Sequence, residues 1–155
     1  LSSNDSDEKQ SKKIIKSINA RLSNFNLIVD LVLYNKHTKE DILNSLLKLK
    51  KINTDLILFY GSTSIVDKND IFPNSLKKAS GKVLAFGAPT DPGNLLMIGT
   101  LGNKKVIGVP GCAKSPLRNG FDDILEKICF GIKVDKKTIS FMSNGGLYKN
   151  FIKKG

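Results

Sequence analysis

The stretch LILFYGSTSIVDKND, residues 56–70, decides how this chain is read. Its first five residues, from Leu56 to Tyr60, are apolar at consecutive positions. A strand with one wet face alternates polar and apolar residues. A strand apolar on both faces lies in a sheet covered on both sides, the usual setting of parallel strands in α/β proteins. The chain then turns polar through Gly61-Ser62-Thr63-Ser64. Gly61 permits a tight exit from the strand and a close backbone approach. The three hydroxyl residues add donors and acceptors suited to phosphate or a polar heterocycle. Asp67 and Asp70 follow. Aspartate at such places forms Asx turns and helix caps. It also binds ligand amines or holds Mg²⁺ beside a phosphate. Both readings stand for both aspartates.

Outward from this stretch, helical and strand patterns alternate. Residues 1–8 read as a flexible lead-in, and Ile14, Ile15, Ile18 and Leu22 recur at helical spacing over 9–22. Residues 27–33 (LIVDLVL) are short and β-branched, which predicts a strand. Thr38 opens a helix, with Asp41 completing a short capping pattern and Ile42, Leu43, Leu46, Leu47 and Leu49 forming its apolar face to about residue 51. A short helix is expected over 73–79, with Pro73 in its first turn, and a strand over 82–86. Residues 95–98 and 105–109 read as two strands joined through Leu101-Gly102-Asn103, and 121–130 as a helix. The tail has weak periodicity and a glycine pair, Gly145-Gly146. The pattern predicts a three-layer α/β/α domain with a mostly parallel sheet. Right-handed crossovers would gather the loops after the strands along one sheet edge, where such folds bind ligands.

Two more of those loops are rich in Gly, Pro and polar residues. In GAPTDPGN (87–94), Pro89 and Pro92 stiffen the chain, while Gly93 and Asn94 tolerate positive φ. In PGCAKSPLRNG (110–120), Lys114, Ser115, Arg118 and Asn119 precede a helix whose N-terminus favours negative charge. None of the three loops is a Walker motif or a dinucleotide fingerprint, and the single histidine, His37, follows a different strand. Spacing alone therefore reaches an anionic small-molecule site.

Composition narrows the function classes. With 155 residues, 40% hydrophobic and 25% charged, the chain has the make-up of one folded domain. Its longest apolar runs are five or six residues, against roughly 20 for a membrane span. Residues 1–12 lack a signal-peptide pattern, so a cytoplasmic protein is expected. Two cysteines without a CxxC pair and one histidine speak against a zinc site, and no metal ligand set is assigned. Cys129 fits a core pattern; Cys112, in a Gly/Pro loop, stays a site candidate. The net charge of +11 raises nucleic acid, yet only Arg21 and Arg118 of the 25 basic residues are arginine. The lysines are scattered, with no basic stripe of interleaved aromatics. A basic surface drawing in a small anion is the stronger reading.

These residues resemble the molybdopterin-binding domain shared by molybdenum-cofactor biosynthesis proteins, among them the molybdopterin adenylyltransferases, the molybdenum-inserting transferases and gephyrin. GSTSIVDKNDIFPNSL occupies the place of the family's first signature, with Gly61 and Thr63 matching and Ser62 standing where a second glycine is usual. DPGN (91–94) and VPGCAKSP (109–116) look like its second and third. With VIGVPGCAKSPLRNGFD and the late GGL (145–147), the likeness is greatest to the region that precedes a molybdenum cofactor cytidylyltransferase-like domain in larger bacterial proteins.

The resemblance covers roughly residues 10–147, which sets the domain at 9–147 and leaves 148–155 as a tail or the start of a linker. It implies that Gly61, Ser62, Thr63 and Ser64 contact the pterin and its phosphate. Asp91, Pro92, Gly93, Asn94, Pro110, Gly111, Cys112, Lys114, Ser115, Arg118 and Asn119 would complete the pocket. Asp67 or Asp70 would be the family's acidic residue, positioning Mg²⁺ if the chain is catalytic. The family domain also opens with a strand before its first helix, a pattern that LSSNDSDEK does not carry. The implied function is binding of molybdopterin or molybdenum cofactor, beside a nucleotidyltransferase domain or protein, as a monomer or homo-oligomer. The rival readings are a non-catalytic scaffold or oligomerisation domain and, more weakly, a nucleic-acid binder.

Overall fold

Helix α1 (Asp5–Leu22) places Ile14, Ile18 and Leu22 one turn apart on a single buried stripe, as its apolar spacing requires. The computed structural model describes residues 5–61, 70–90 and 92–141. The helix begins at Asp5, so part of the expected lead-in is helical; Glu8 and Lys12 pair across one exposed turn at 2.7 Å. Helix α2 (Lys39–Lys51) is capped by Thr38, whose hydroxyl accepts from the Asp41 N–H at 3.2 Å. Glu40 and Asp41 in its first turn and Lys48, Lys50 and Lys51 in its last complement the helix dipole. Strand β1 (Leu56–Phe59) follows, then α3 (Ile71–Lys78), with Pro73 in its first turn where no intrahelical N–H is needed. Strand β2 (Lys82–Phe86), the hairpin β3 (Met97–Leu101) and β4 (Lys104–Gly108), α4 (Gly120–Cys129) and α5 (Lys136–Phe141) complete the order. The hairpin turns through Gly102-Asn103, with Gly102 at φ +63°.

The chain is mixed α/β with a four-stranded sheet in the order β1-β4-β3-β2. Only β1 and β4 pair in parallel; β4 with β3 and β3 with β2 pair antiparallel. This corrects the expectation of a mostly parallel sheet. Three strands (β1, β4 and β2) do run the same way, but the hairpin sends β3 back between β4 and β2, so both of its ladders are antiparallel.

Along β3 and β4, neighbouring residues alternate between two cores, as strand geometry dictates. Ile98 and Ile107 join Ile14 and Ile18 of α1, Phe121 and Ile124 of α4 and Ile139 of α5. Met97 and Val106 join Ile42 and Leu46 of α2 and Phe72 and Leu76 of α3. Helices thus cover both faces of the sheet. The Phe59 and Phe72 rings stack at 3.7 Å between centroids, fixing β1 to α3.

A second expectation is corrected. Residues 27–33 form no strand, although the chain there is irregular and carries the residues of one. A strand exists only when a neighbour takes its hydrogen bonds, and among the described residues no strand pairs with this segment. Ile28 and Tyr34 are 78% and 71% exposed. Among the described residues, no helix is long and apolar enough to cross a membrane.

Candidate functional site

Because β1, β2 and β4 run the same way, the loops that begin at Gly61, Gly87 and Pro110 all leave the same edge of the sheet. The edge expected from crossover handedness is therefore present despite the reversed β3.

The second and third loops interlock. Ala88 N–H donates to the Asn94 carbonyl at 2.9 Å, closing the 87–94 loop on itself. Gly120 N–H, at the start of α4, donates to the Pro92 carbonyl at 3.0 Å. Gly93 has φ +117°, and a Cβ on it would stand 2.6 Å from the Gly120 nitrogen. Only glycine allows both the backbone conformation and this approach. Thr90 lies at the same junction, 5% exposed, and its hydroxyl has no hydrogen-bond partner among the described residues. Buried hydroxyls are nearly always paired, so this one stands out beside the loop junction.

The third loop is held from behind by α1. Residues Gly111–Lys114 make one 3₁₀ turn, with Ala113 fully buried. The Arg21 side chain, 7% exposed, reaches under that turn. Its Nε donates to Asp122 Oδ1 at 2.7 Å, and its two terminal nitrogens donate to the carbonyls of Ala113 (3.1 Å), Ser115 (2.9 Å) and Leu117 (3.2 Å). The Ser17 hydroxyl donates to the Ala113 carbonyl at 2.7 Å. A planar guanidinium suits this fan of acceptors better than an ammonium does.

Lys114 ties the third loop to the end of β1. Its ammonium lies 6.0 Å from the Tyr60 ring centroid and 3.4 Å from Gln10 Oε1. Tyr60 directly precedes Gly61, so this cation stands where the first loop begins. Cys112 and Ser115 are half-buried nearby, and the Ser115 hydroxyl accepts from the Leu117 N–H at 3.2 Å.

Two of the polar residues expected at the site carry other duties here. Arg118 pairs with Asp123 at 2.7 Å and Glu126 at 2.6 Å along α4. Its hydrogen bond to Glu126 holds that carboxyl below the usual carboxylate range and raises the guanidinium pKa further. Asn119 is 1% exposed and caps α4: its Oδ1 accepts from Phe121 N–H at 3.1 Å and its Nδ2 donates to the Leu117 carbonyl at 3.0 Å. Asp122 reaches back to the Asn119 N–H at 2.8 Å, completing a capping box. Asp70 occupies the N-cap position of α3, and its carbonyl accepts from Asn74 N–H. Ser62, Thr63, Ser64, Asp67 and Asp91, together with Gly145-Gly146, lie outside the described residues.

The structure thus brings together Gly61, Pro92, Gly93, Pro110, Gly111 and Lys114. It adds Thr90, Tyr60, Gln10 and Arg21, none of which the motifs singled out. Among the described residues, no group of three His, Cys, Asp or Glu side chains could hold a metal ion. Comparison with family models, with curated proteins and with solved structures gives no match.

Proposed function

We propose that this domain binds molybdopterin or molybdenum cofactor at the sheet edge formed by the loops at 61–70, 87–94 and 110–119. The observation that carries the reading is the meeting of the described parts: Gly93 against Gly120 joins the second loop to the third, and Lys114 over Tyr60 sets the third at the end of β1, where the first begins. The donor set suits a pterin phosphate. Lys114 supplies positive charge, and the glycines let the ligand approach backbone N–H groups. The finer fold proposed with it is a three-layer α/β/α domain of the molybdopterin-binding type. Helices on both faces of the sheet support that assignment.

In this reading the domain works in the cytoplasm in molybdenum-cofactor biosynthesis, beside or fused to a nucleotidyltransferase. Any catalysis of its own would be Mg²⁺-dependent nucleotidyl transfer to the pterin phosphate, with Asp67 or Asp70 placing the metal. The engagement of Arg118 with Asp123 and Glu126 favours a second reading, a binding or scaffold domain without catalysis, because that cation is already neutralised. Titration of the purified protein with molybdopterin tests the main proposal: saturable binding weakened by Lys114→Ala supports it, and no binding by a folded protein sinks it. Assay of CTP- and ATP-dependent nucleotidylation of molybdopterin then separates enzyme from scaffold.

A further inference from the structure

The charge of Arg21 is matched inside the fold. Its guanidinium pairs with Asp122, and the two side chains are only 8% and 15% exposed. A cation so engaged does not serve as the one that meets a ligand at the loop edge. What it reaches instead is backbone. The carbonyls of Ala113, Ser115 and Leu117, at 3.1, 2.9 and 3.2 Å, all turn toward it. Carbonyl oxygens repel an anion, whereas N–H groups and cations attract it. Drawing three carbonyls to the back of the third loop removes that repulsion from its front.

The geometry of the peptide unit makes the effect two-sided. In a trans peptide the carbonyl and the N–H of the following residue point in opposite directions. With the Leu117 carbonyl on Arg21, the Arg118 N–H therefore points away from α1. Residues 116–118 are exposed. The same ion pair also sets the start of α4, because Asp122 accepts from the Asn119 N–H at 2.8 Å. The next residue, Gly120, donates to the Pro92 carbonyl at 3.0 Å, which carries the setting to the second loop. One side chain from α1 thus fixes the backbone of the third loop and its junction with the second.

We propose that Arg21 is the positioning residue of the anion site at the loop edge. It holds the carbonyls of Ala113, Ser115 and Leu117 at the back of the third loop and turns the Arg118 N–H to the front, where it meets the phosphate. This role rests on the ligand proposed above and assigns to its site a residue that does not touch the ligand. Direction matters here more than charge. A lysine at this position would keep the charge beside Asp122 but has no planar fork to hold three carbonyls in fixed directions.

The test compares three forms of the 155-residue protein: the parent, Arg21→Lys and Leu46→Ala. Each is titrated with molybdopterin at a temperature where circular dichroism shows it folded. Leu46 is 2% exposed in the core on the face of the sheet opposite α1, so its truncation destabilises the fold away from the Arg21 network. Arg21→Lys should weaken binding about tenfold or more, while Leu46→Ala keeps the parent's affinity. In amide-resolved NMR, the Arg118 signal should shift on titration of the parent and much less in saturated Arg21→Lys. Equal affinity of the parent and Arg21→Lys overturns the role of Arg21 and leaves the ligand reading in place. So does an equal loss in Arg21→Lys and Leu46→Ala, which would make the effect one of global stability. So does an Arg118 amide that saturating ligand leaves unmoved in the parent. No binding by the folded parent overturns the ligand reading and the role of Arg21 with it.

Discussion

Replacing Arg21 by alanine removes a cation buried beneath the third loop, and the cost can be worked from its partners. The guanidinium is paired with Asp122, and the two side chains are only 8% and 15% exposed. It also donates to the carbonyls of Ala113, Ser115 and Leu117. Losing one partner of a buried ion pair costs about 3–5 kcal/mol, because the other charge stays buried. Three acceptors keep other donors, however. Asp122 still accepts from Asn119 N–H, Ala113 from the Ser17 hydroxyl and Leu117 from the Asn119 amide. The lower end, about 3 kcal/mol, is therefore expected.

Urea unfolding at neutral pH measures it. With a slope of about 2 kcal/mol per molar, the midpoint should fall by about 1.5 M without a change in slope. Exchange of the amides at 113–117 should speed up in the same variant before global unfolding is reached. Arg21→Lys keeps the charge but loses the planar fork, and should recover less than half of the loss. Arg118→Ala, which breaks a pair at a side chain 52% exposed, should cost less than about 1 kcal/mol. A loss below about 1 kcal/mol for Arg21→Ala would refute the reasoning, because the network would then be no stronger than a surface pair.

Three further outcomes are expected. Gly93→Ala meets both a positive φ and the Gly120 nitrogen, so it should cost about 2 kcal/mol or more and lower the calorimetric Tm by about 4–8 °C. Thr90→Val replaces a buried hydroxyl, without a hydrogen-bond partner among the described residues, by a methyl of similar shape; stability in urea unfolding should hold or rise by up to about 1 kcal/mol. Glu126 has a folded pKa below its ordinary 4.5, so its pairing with Arg118 stabilises the fold above that pH and is lost as pH falls through the lower folded value. The stability difference between the parent and Glu126→Gln should accordingly be less than about 1 kcal/mol at pH 7 and should vanish in acid titration below 4.5.

The elements readable from sequence were those whose signal is local. Thr38 with Asp41, the glycine turn at 102 and the apolar stripe of α1 each depend on residues a turn apart, and each lies where the pattern puts it. The loop edge was legible for the same reason, since strand ends are local events. Sheet pairing is not local. The hairpin through Gly102-Asn103 was readable, but nothing in its residues says that β3 returns between β4 and β2, and that placement makes two of three ladders antiparallel. Arg21 carries a local signal: it stands beside Leu22, three residues after Ile18, on the stripe that a helix buries. An arginine there must find acceptors. Arg118 left one as well, because Asp123 and Glu126 follow on the helix it precedes, and a cation so placed turns to them before it meets a ligand. The unpaired hydroxyl of Thr90 left none, since its surroundings come from Gly93 and Gly120 on two different loops.

Residues 27–33 set the limit of such reading from the other side. Their composition describes an interior strand as plainly as that of β1 does, yet the segment pairs with no strand among the described residues, because composition states what a segment can bury and not who its neighbour is. The unused pattern is itself informative. A sequence whose local preferences agree with the fold from the capped helices to the alternating cores of β3 and β4 carries a disagreement where β1 also lacks an edge partner among the described residues. Two independent segments showing the same deficit across one groove mark a position in the sheet that the described residues leave open. The loop edge and the groove meet at the same strand: β1 ends at Phe59, two residues before Gly61, and borders the groove along its length.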